Sequence, residues 1–377
     1  MKSISTIAVN WTATIKTIAQ RWESGHMPKY GIPTMDDRRL WDAFVKGSYD
    51  RTAVVVADDL GIFASLHEKP ASVSALATHL GFDERATGVI VRLLASLGLL
   101  IPYDNRFHLA EDARLYLLKS SPFYWGHMMH VGVIERQREM LIAKLQQKDS
   151  ANAAGPLGAL TLSGEDRAVD AWAAGQVPVQ QARDIAARMH SHSLPAAIGA
   201  ARNYDFANIH KILDVGGGSG CFMIAMAQEH PHLRCTIMDL PTMCEVAHSY
   251  IDSAEATGNV DTIAVDMFRQ PWPRDYDAVF FSNVWHDWNF RICRWLAERT
   301  FEILPSGGRI MLHEMLLDDD GAGPPTAAGF SMLMLLATQG QQFTFGELRS
   351  ILEGAGFAGI ETVSTYGYYS ITTGYKR

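Results

Sequence analysis

The segment that most constrains this chain is Ile212-Leu213-Asp214-Val215, which runs straight into Gly216-Gly217-Gly218-Ser219-Gly220. The spacing predicts a strand, a tight turn and then a helix over 221–230. Glycines let the backbone turn sharply and approach a ligand where a side chain would clash. The helix N-terminus behind them offers free N–H groups. The same cluster also suits a plain tight turn. Two nucleotide-binding patterns are excluded: position 221 is Cys, so G-x-G-x-x-G lacks its last glycine, and no G-x-x-x-x-G-K-[ST] occurs.

From about Phe206 onward, β-rich runs alternate with helical stretches. The runs fall at 210–215, 234–240, 262–268, 277–285 and 309–316. Such alternation implies an α/β fold, a parallel sheet with helices on both faces. Asp214, Asp239 and Asp266 lie near the ends of consecutive runs. About 20 residues after the central glycine, Asp239 is where a carboxylate can accept both ribose hydroxyls of an adenosine ligand. Asp266, followed by Met267, is placed to read an adenine amine. Each acid could instead simply cap its strand.

The first third reads as helical. Val54, Ala57, Leu60 and Phe63 recur at helical spacing over 51–66. Ser72 and Asp83 are expected N-caps, and Gly81 and Gly98 are expected stops. Residues 99–109 predict two short strands about an Asp104-Asn105 turn. Helix, turn, helix and hairpin make the outline of a winged helix, whose usual reading is DNA binding. Charge speaks against that reading. The chain holds 33 Lys+Arg against 41 Asp+Glu, a net of −8, and the expected recognition helix has only Arg85 and Arg92 as basic donors. Cys221, Cys235, Cys244 and Cys293 include no C-x-x-C pair, so neither a disulfide framework nor a thiolate zinc site is expected. With no secretory h-region and no apolar run of spanning length, a cytoplasmic chain without a membrane segment is expected. The apolar run 332–337 reads as a buried helix.

Jointly, DVGGGSG, MDLP, VDMF, NVWHDW and GGRIMLHE resemble the S-adenosylmethionine-dependent methyltransferases that include caffeate-type and bacterial antibiotic O-methyltransferases. The MHSHS segment at 189–193 and the winged helix extend the resemblance over nearly the whole chain. It implies a C-terminal Rossmann-like class I sheet of seven strands, the last formed around 368–376. It also implies an N-terminal, mostly helical domain that mediates homodimerisation and leaves nucleic acid unbound. The expected divisions are a dimerisation domain at 1–120, a helical pocket region at 121–205 and a cofactor-binding catalytic domain at 206–377.

Set on these residues, the resemblance implies S-adenosyl-L-methionine as cofactor, leaving as S-adenosyl-L-homocysteine. It would be held by Asp214, Gly216, Gly218, Asp239, Leu240, Asp266 and Met267, with Ser282 where plant members often carry a lysine. His286 would be the general base for a hydroxyl of a small aromatic or secondary-metabolite acceptor, since neutral imidazole takes a proton near neutral pH. Glu314 would orient that ring. The family's second glutamate is replaced by Gln342, which can orient a ring N–H but cannot neutralise imidazolium. That change leaves open a C-methyltransferase acting on the enol of a 2-oxo acid. A metal there would have His286, Asp287 and His313 as ligands by type, although no metal is expected. Trp125, Met128, Trp285, Asp287 and Met332 are the expected acceptor contacts, a role shared with core packing. A ligand-sensing DNA-binding regulator and a methyltransferase-like protein without methyl transfer are the alternatives of other classes.

Overall fold

A computed structural model of the chain describes residues 31–32, 36–38, 41–42, 45, 49–121, 124, 135–146, 178–256 and 258–377. The N-terminal elements are α1 (Asp50–Asp59), α2 (Ile62–Glu68), α3 (Val73–Leu80), α4 (Glu84–Ser96), β1 (Leu100–Tyr103), β2 (Arg106–Leu109) and α5 (Glu111–Leu117). Ser72 caps α3 by accepting from the Ala75 N–H, and Asp83 caps α4 by accepting from Ala86. Asp104 and Asn105 both take positive φ, the backbone a two-residue hairpin turn needs. The expected single helix over 51–66 is instead two, because Gly61 at φ 76° turns the chain between α1 and α2.

Helices α6 (Glu135–Leu145) and α7 (Val179–Asn203) lead to the sheet. The MHSHS segment lies inside α7, so His190 and His192 are carried on a helix. Then follow β3 (Lys211–Val215), α8 (Cys221–Glu229), β4 (Arg234–Asp239), α9 (Pro241–Ser253), β5 (Val260–Ala264), β6 (Ala278–Ser282), α10 (Phe290–Ile303), β7 (Arg309–Met315), α11 (Pro325–Ala337), α12 (Phe345–Gly354), β8 (Ala358–Tyr366) and β9 (Tyr369–Tyr375). The seven strands lie in the order β5-β4-β3-β6-β7-β9-β8. Neighbours are parallel except at β9, which runs antiparallel to both β7 and β8. β8 escapes the sequence pattern because it is an edge strand with most of its side chains outside the core.

Alternating side chains feed two cores. Ile212, Ile237, Phe280 and Met311 face a cluster that continues through α7, α8 and α11 into the N-terminal helices. Leu213, Met238, Val279, Phe281 and Leu312 face a second cluster beneath α10 and α12. Helix α4, in the recognition position of the winged helix, packs along α11. Its two arginines are held inside the chain. Arg85 donates to the Gly340 carbonyl at 2.7 Å, and Arg92 pairs with Glu347 at 2.6 Å. Among the described residues no helix is long and apolar enough to cross a membrane.

Helix α7 meets β8 at a glycine. A Cβ on Gly199 would lie 2.5 Å from Tyr366 Cβ and 2.9 Å from its Cγ. Gly199→Ala should therefore cost about 1–3 kcal/mol through overpacking, read as a lowered Tm; an unchanged Tm would show that the contact relaxes freely.

Candidate active site

Gly216, Gly218 and Gly220 all adopt positive φ, at 74°, 57° and 75°, a turn that other residues resist. The glycines differ in what crowds them. A Cβ on Gly217 would strike Asp214 Oδ2 at 2.4 Å, and one on Gly220 would strike Ile237 at 2.4 Å. At Gly218 the nearest atom would be the Met243 methyl at 4.0 Å. The loop is thus packed from below at two positions and open at the third, the shape of a cradle for a ligand. Asp239 stands at its rim, with Oδ2 accepting from the Gly218 N–H at 2.9 Å and Oδ1 from Leu240 at 2.7 Å. Burial raises its pKa, and those two backbone donors oppose the rise. Asp214 is buried beneath the loop, and burial, then the nearby Asp239 charge, lifts its carboxyl well above the usual range. Leu240 contributes as the N-cap of α9.

The other cofactor candidates divide. Asp266 Oδ1 accepts from the Phe268 N–H at 2.9 Å, closing a local turn, while the Met267 carbonyl accepts from Trp272 Nε1 at 2.8 Å. This strand-end capping leaves the Met267 side chain packed against the second core. Ser282 is engaged elsewhere: its Oγ lies 3.0 Å from His313 Nδ1. His313 stacks on Tyr369 with an 8° interplanar angle, and burial lowers it to about 3. Adjacent strand residues face opposite ways, so His313 points away from Glu314.

His286 lies in a short 3-10 turn, Trp285–Asp287, just past the end of β6, where parallel sheets open their sites. Its ring is buried, with Nδ1 3.1 Å from Glu314 Oε2 and 3.0 Å from Gln342 Nε2. Glu314 Oε1 accepts from the Trp285 N–H at 3.1 Å, which ties the same carboxylate to the turn. Burial pulls the imidazole pKa down, but the Glu314 carboxylate and then Asp287 outweigh it, and the net direction is up. Asp287 Oδ1 is 3.8 Å from Nε2, and burial pushes that carboxyl up to about 7 against the opposing pull of His286. The glycine loop adjoins this turn, since a Cβ on Gly216 would come within 3.1 Å of Val284 Cγ2.

The expected acceptor contacts fare unevenly. Trp125 and Met128 lie outside the described residues. Trp285 turns its side chain into the second core against Phe281, 5.9 Å between rings. Met332 is likewise fully buried, and two residues earlier on α11 it is Phe330 that meets the His286 ring edge-on at 5.3 Å. Trp41 joins this wall, 5.2 Å from Phe330 and 5.4 Å from His192. Burial, then the charge of His286, lowers His192 to about 4, so it is neutral near pH 7. His190 sits 3.0 Å from Ser219 of the glycine loop. Asn283, at φ 53°, approaches Tyr369 Oη at 3.4 Å. A sequence reading has little hold on Trp41, Phe330 and Tyr369, which are brought together by tertiary packing alone; the only local signal is the His pair in MHSHS.

Comparison with known proteins identifies the family. The O-methyltransferase domain family matches residues 168–358, and the O-methyltransferase dimerisation domain matches 43–119. The chain is 30% identical over 341 residues to 3-hydroxy-5-methyl-1-naphthoate 3-O-methyltransferase of Streptomyces sahachiroi, covering 90% of this chain and 94% of the relative. It is 27% identical to acetylserotonin O-methyltransferase of Bos taurus, covering 88% and 95%. A crystal structure of an O-methyltransferase family 2 protein from Planctomyces limnophilus, in complex with apigenin, superposes with a TM-score of 0.73 at 25% identity, covering 94% and 100%.

If the cradle holds S-adenosylmethionine, Asp239→Ala should weaken its binding by about tenfold or more, as loss of a charged hydrogen-bond acceptor does. Calorimetry on the purified protein reads this, and unchanged affinity would remove Asp239 from the site.

Proposed function

The chain belongs to the O-methyltransferase family and is an S-adenosylmethionine-dependent methyltransferase; we propose that it methylates a hydroxyl of a small, flat aromatic secondary metabolite, with His286 as general base. The observation that carries this reading is a buried imidazole, paired through Nδ1 with Glu314 and Gln342, beside an open glycine cradle. When bound, S-adenosylmethionine supplies an electrophilic sulfonium methyl to the deprotonated oxygen. Gly216, Gly218, Asp239 and Met267 would hold it, with Asp266 as a further contact at the strand end.

For the base to work, Nε2 must carry a lone pair toward the acceptor, so Nδ1 must carry the proton. Glu314 Oε2 is the acceptor for that proton and has no other polar partner among the described residues. A half-turn of the Gln342 amide brings its carbonyl to the same N–H, and Gln342 Oε1 is otherwise unsatisfied. The acceptor hydroxyl then gives its proton to Nε2, and Glu314 offsets the charge of the resulting imidazolium. Phe330, Trp41 and neutral His192 provide an apolar wall that suits an aromatic ring and excludes water from the base. The naphthoate substrate named for the Streptomyces sahachiroi relative and the apigenin complex point to the same acceptor class.

Dimerisation through the segment matched at 43–119 completes the reading. A nucleic-acid role is disfavoured because both arginines of α4 are held within the chain. Four free, buried cysteines suit a reducing cytoplasm.

His286→Ala should lower turnover by about a hundredfold or more while leaving cofactor affinity near normal. The assay uses a panel of phenols and 2-oxo acids with mass spectrometry to place the methyl; full activity of the variant, or methylation at carbon only, would sink the reading. The active form is the neutral ring, so kcat should fall as pH drops through a midpoint above the ordinary imidazole value of 6.5. Glu314→Gln removes the group that raises it and should move the midpoint to lower pH with a smaller kcat. A midpoint that stays put would take Glu314 out of this role.

A further inference from the structure

We propose that Arg85, on a helix of the matched dimerisation segment, is a positioning residue for His286, and that with Arg92 it fixes both ends of the segment that holds the base. Arg85 is half-buried and donates from Nη1 to the Gly340 carbonyl at 2.7 Å. Placing a guanidinium there costs solvation, which the Gly340 carbonyl helps to offset. Gly340 is pressed onto the catalytic turn: a Cβ there would lie 1.9 Å from the His286 carbonyl oxygen and 2.6 Å from the Trp288 nitrogen.

The neighbouring residues tie the same two pieces together. The Gln339 N–H donates to the Asp287 carbonyl at 3.1 Å, and Asn289 Nδ2 donates to Gln339 Oε1 at 3.0 Å. Two residues beyond Gly340, Gln342 reaches His286 Nδ1, and its backbone N–H donates to Ser331 Oγ on α11 at 3.1 Å. At the far end, Thr344 and Glu347 form the capping box of α12, and Glu347 Oε1 accepts from Arg92 at 2.6 Å. The segment 340–347 is therefore gripped at its start and its end from one face of α4. A shift of Gly340 is transmitted to the backbone under the imidazole and to the amide beside it. Misplacement of a catalytic group by an ångström costs rate out of proportion to binding.

This inference rests on His286 as the base, and the test separates the two. In the intact enzyme, Arg85→Met should lower kcat by about tenfold or more, with acceptor KM and S-adenosylmethionine affinity within about twofold of the parent. Arg85→Lys, which keeps a donor for the carbonyl, should restore most of the loss. In a double-mutant cycle with Gln342→Leu, the two losses should overlap rather than multiply, because both act through one segment. Should Arg85→Met not accumulate as folded protein, Arg92→Gln enters the same cycle and is read by the same criterion. Multiplicative losses, a kcat within twofold of the parent, or a loss confined to KM would overturn the inference. The cycle reads coupling between α4 and Gln342 whichever group takes the proton, whereas failure of the base assignment shows separately as an active His286→Ala.

Discussion

Glu314 carries a carboxylate with no solvent-exposed surface. A carboxylate removed from water must find a partner or take up a proton. Here the partners are the His286 ring at 3.1 Å and the Trp285 N–H at 3.1 Å. That requirement organises the middle of the molecule. β7 must deliver Glu314, the turn after β6 must deliver both donors, and the 340–342 segment must press close enough to seal the ring from solvent. Gly340 is the concession that makes the last contact possible, since any side chain would collide with the His286 carbonyl.

The parts of this design that follow from local chemistry are readable in the sequence. Ser72, Asp83 and the Asp104-Asn105 turn act through neighbours three residues away or fewer. The glycine loop and the strand-end acids are equally local, because each strand of a parallel sheet ends where the ligand cleft opens. What escapes is decided at long range. Trp285 adjoins His286 in the chain, yet packing sends it into the core with Phe281. Phe330 and Trp41, which wall His286, are almost three hundred residues apart and carry no mark in their own neighbourhoods. The His pair in MHSHS needed its helix to show that His190 faces the glycine loop and His192 the aromatic wall.

In the proposed role of His286 as base, the amide at 342 sets the electrostatics of the ring. Two carboxylates at Nδ1 would compete for the same proton and repel one another. One carboxylate and one amide divide the work: Glu314 supplies the charge, and Gln342 supplies a dipole that makes no demand for a counter-ion. The winged-helix outline is altered in a comparable way. The helix that would enter a groove is turned inward onto α11, and its two basic side chains grip the catalytic half.

The position of β9 has a consequence for biogenesis. The last strand of the sheet to be made is an interior one, lying between β7 and β8. β7, which delivers Glu314, therefore has no partner on that side until residues 369–375 have left the ribosome. Until then β7 leaves an open sheet edge beside Glu314, and β8 has no strand to pair with. Assembly of the proposed catalytic centre is then a late, chain-wide event, although the glycine loop is complete some 150 residues sooner.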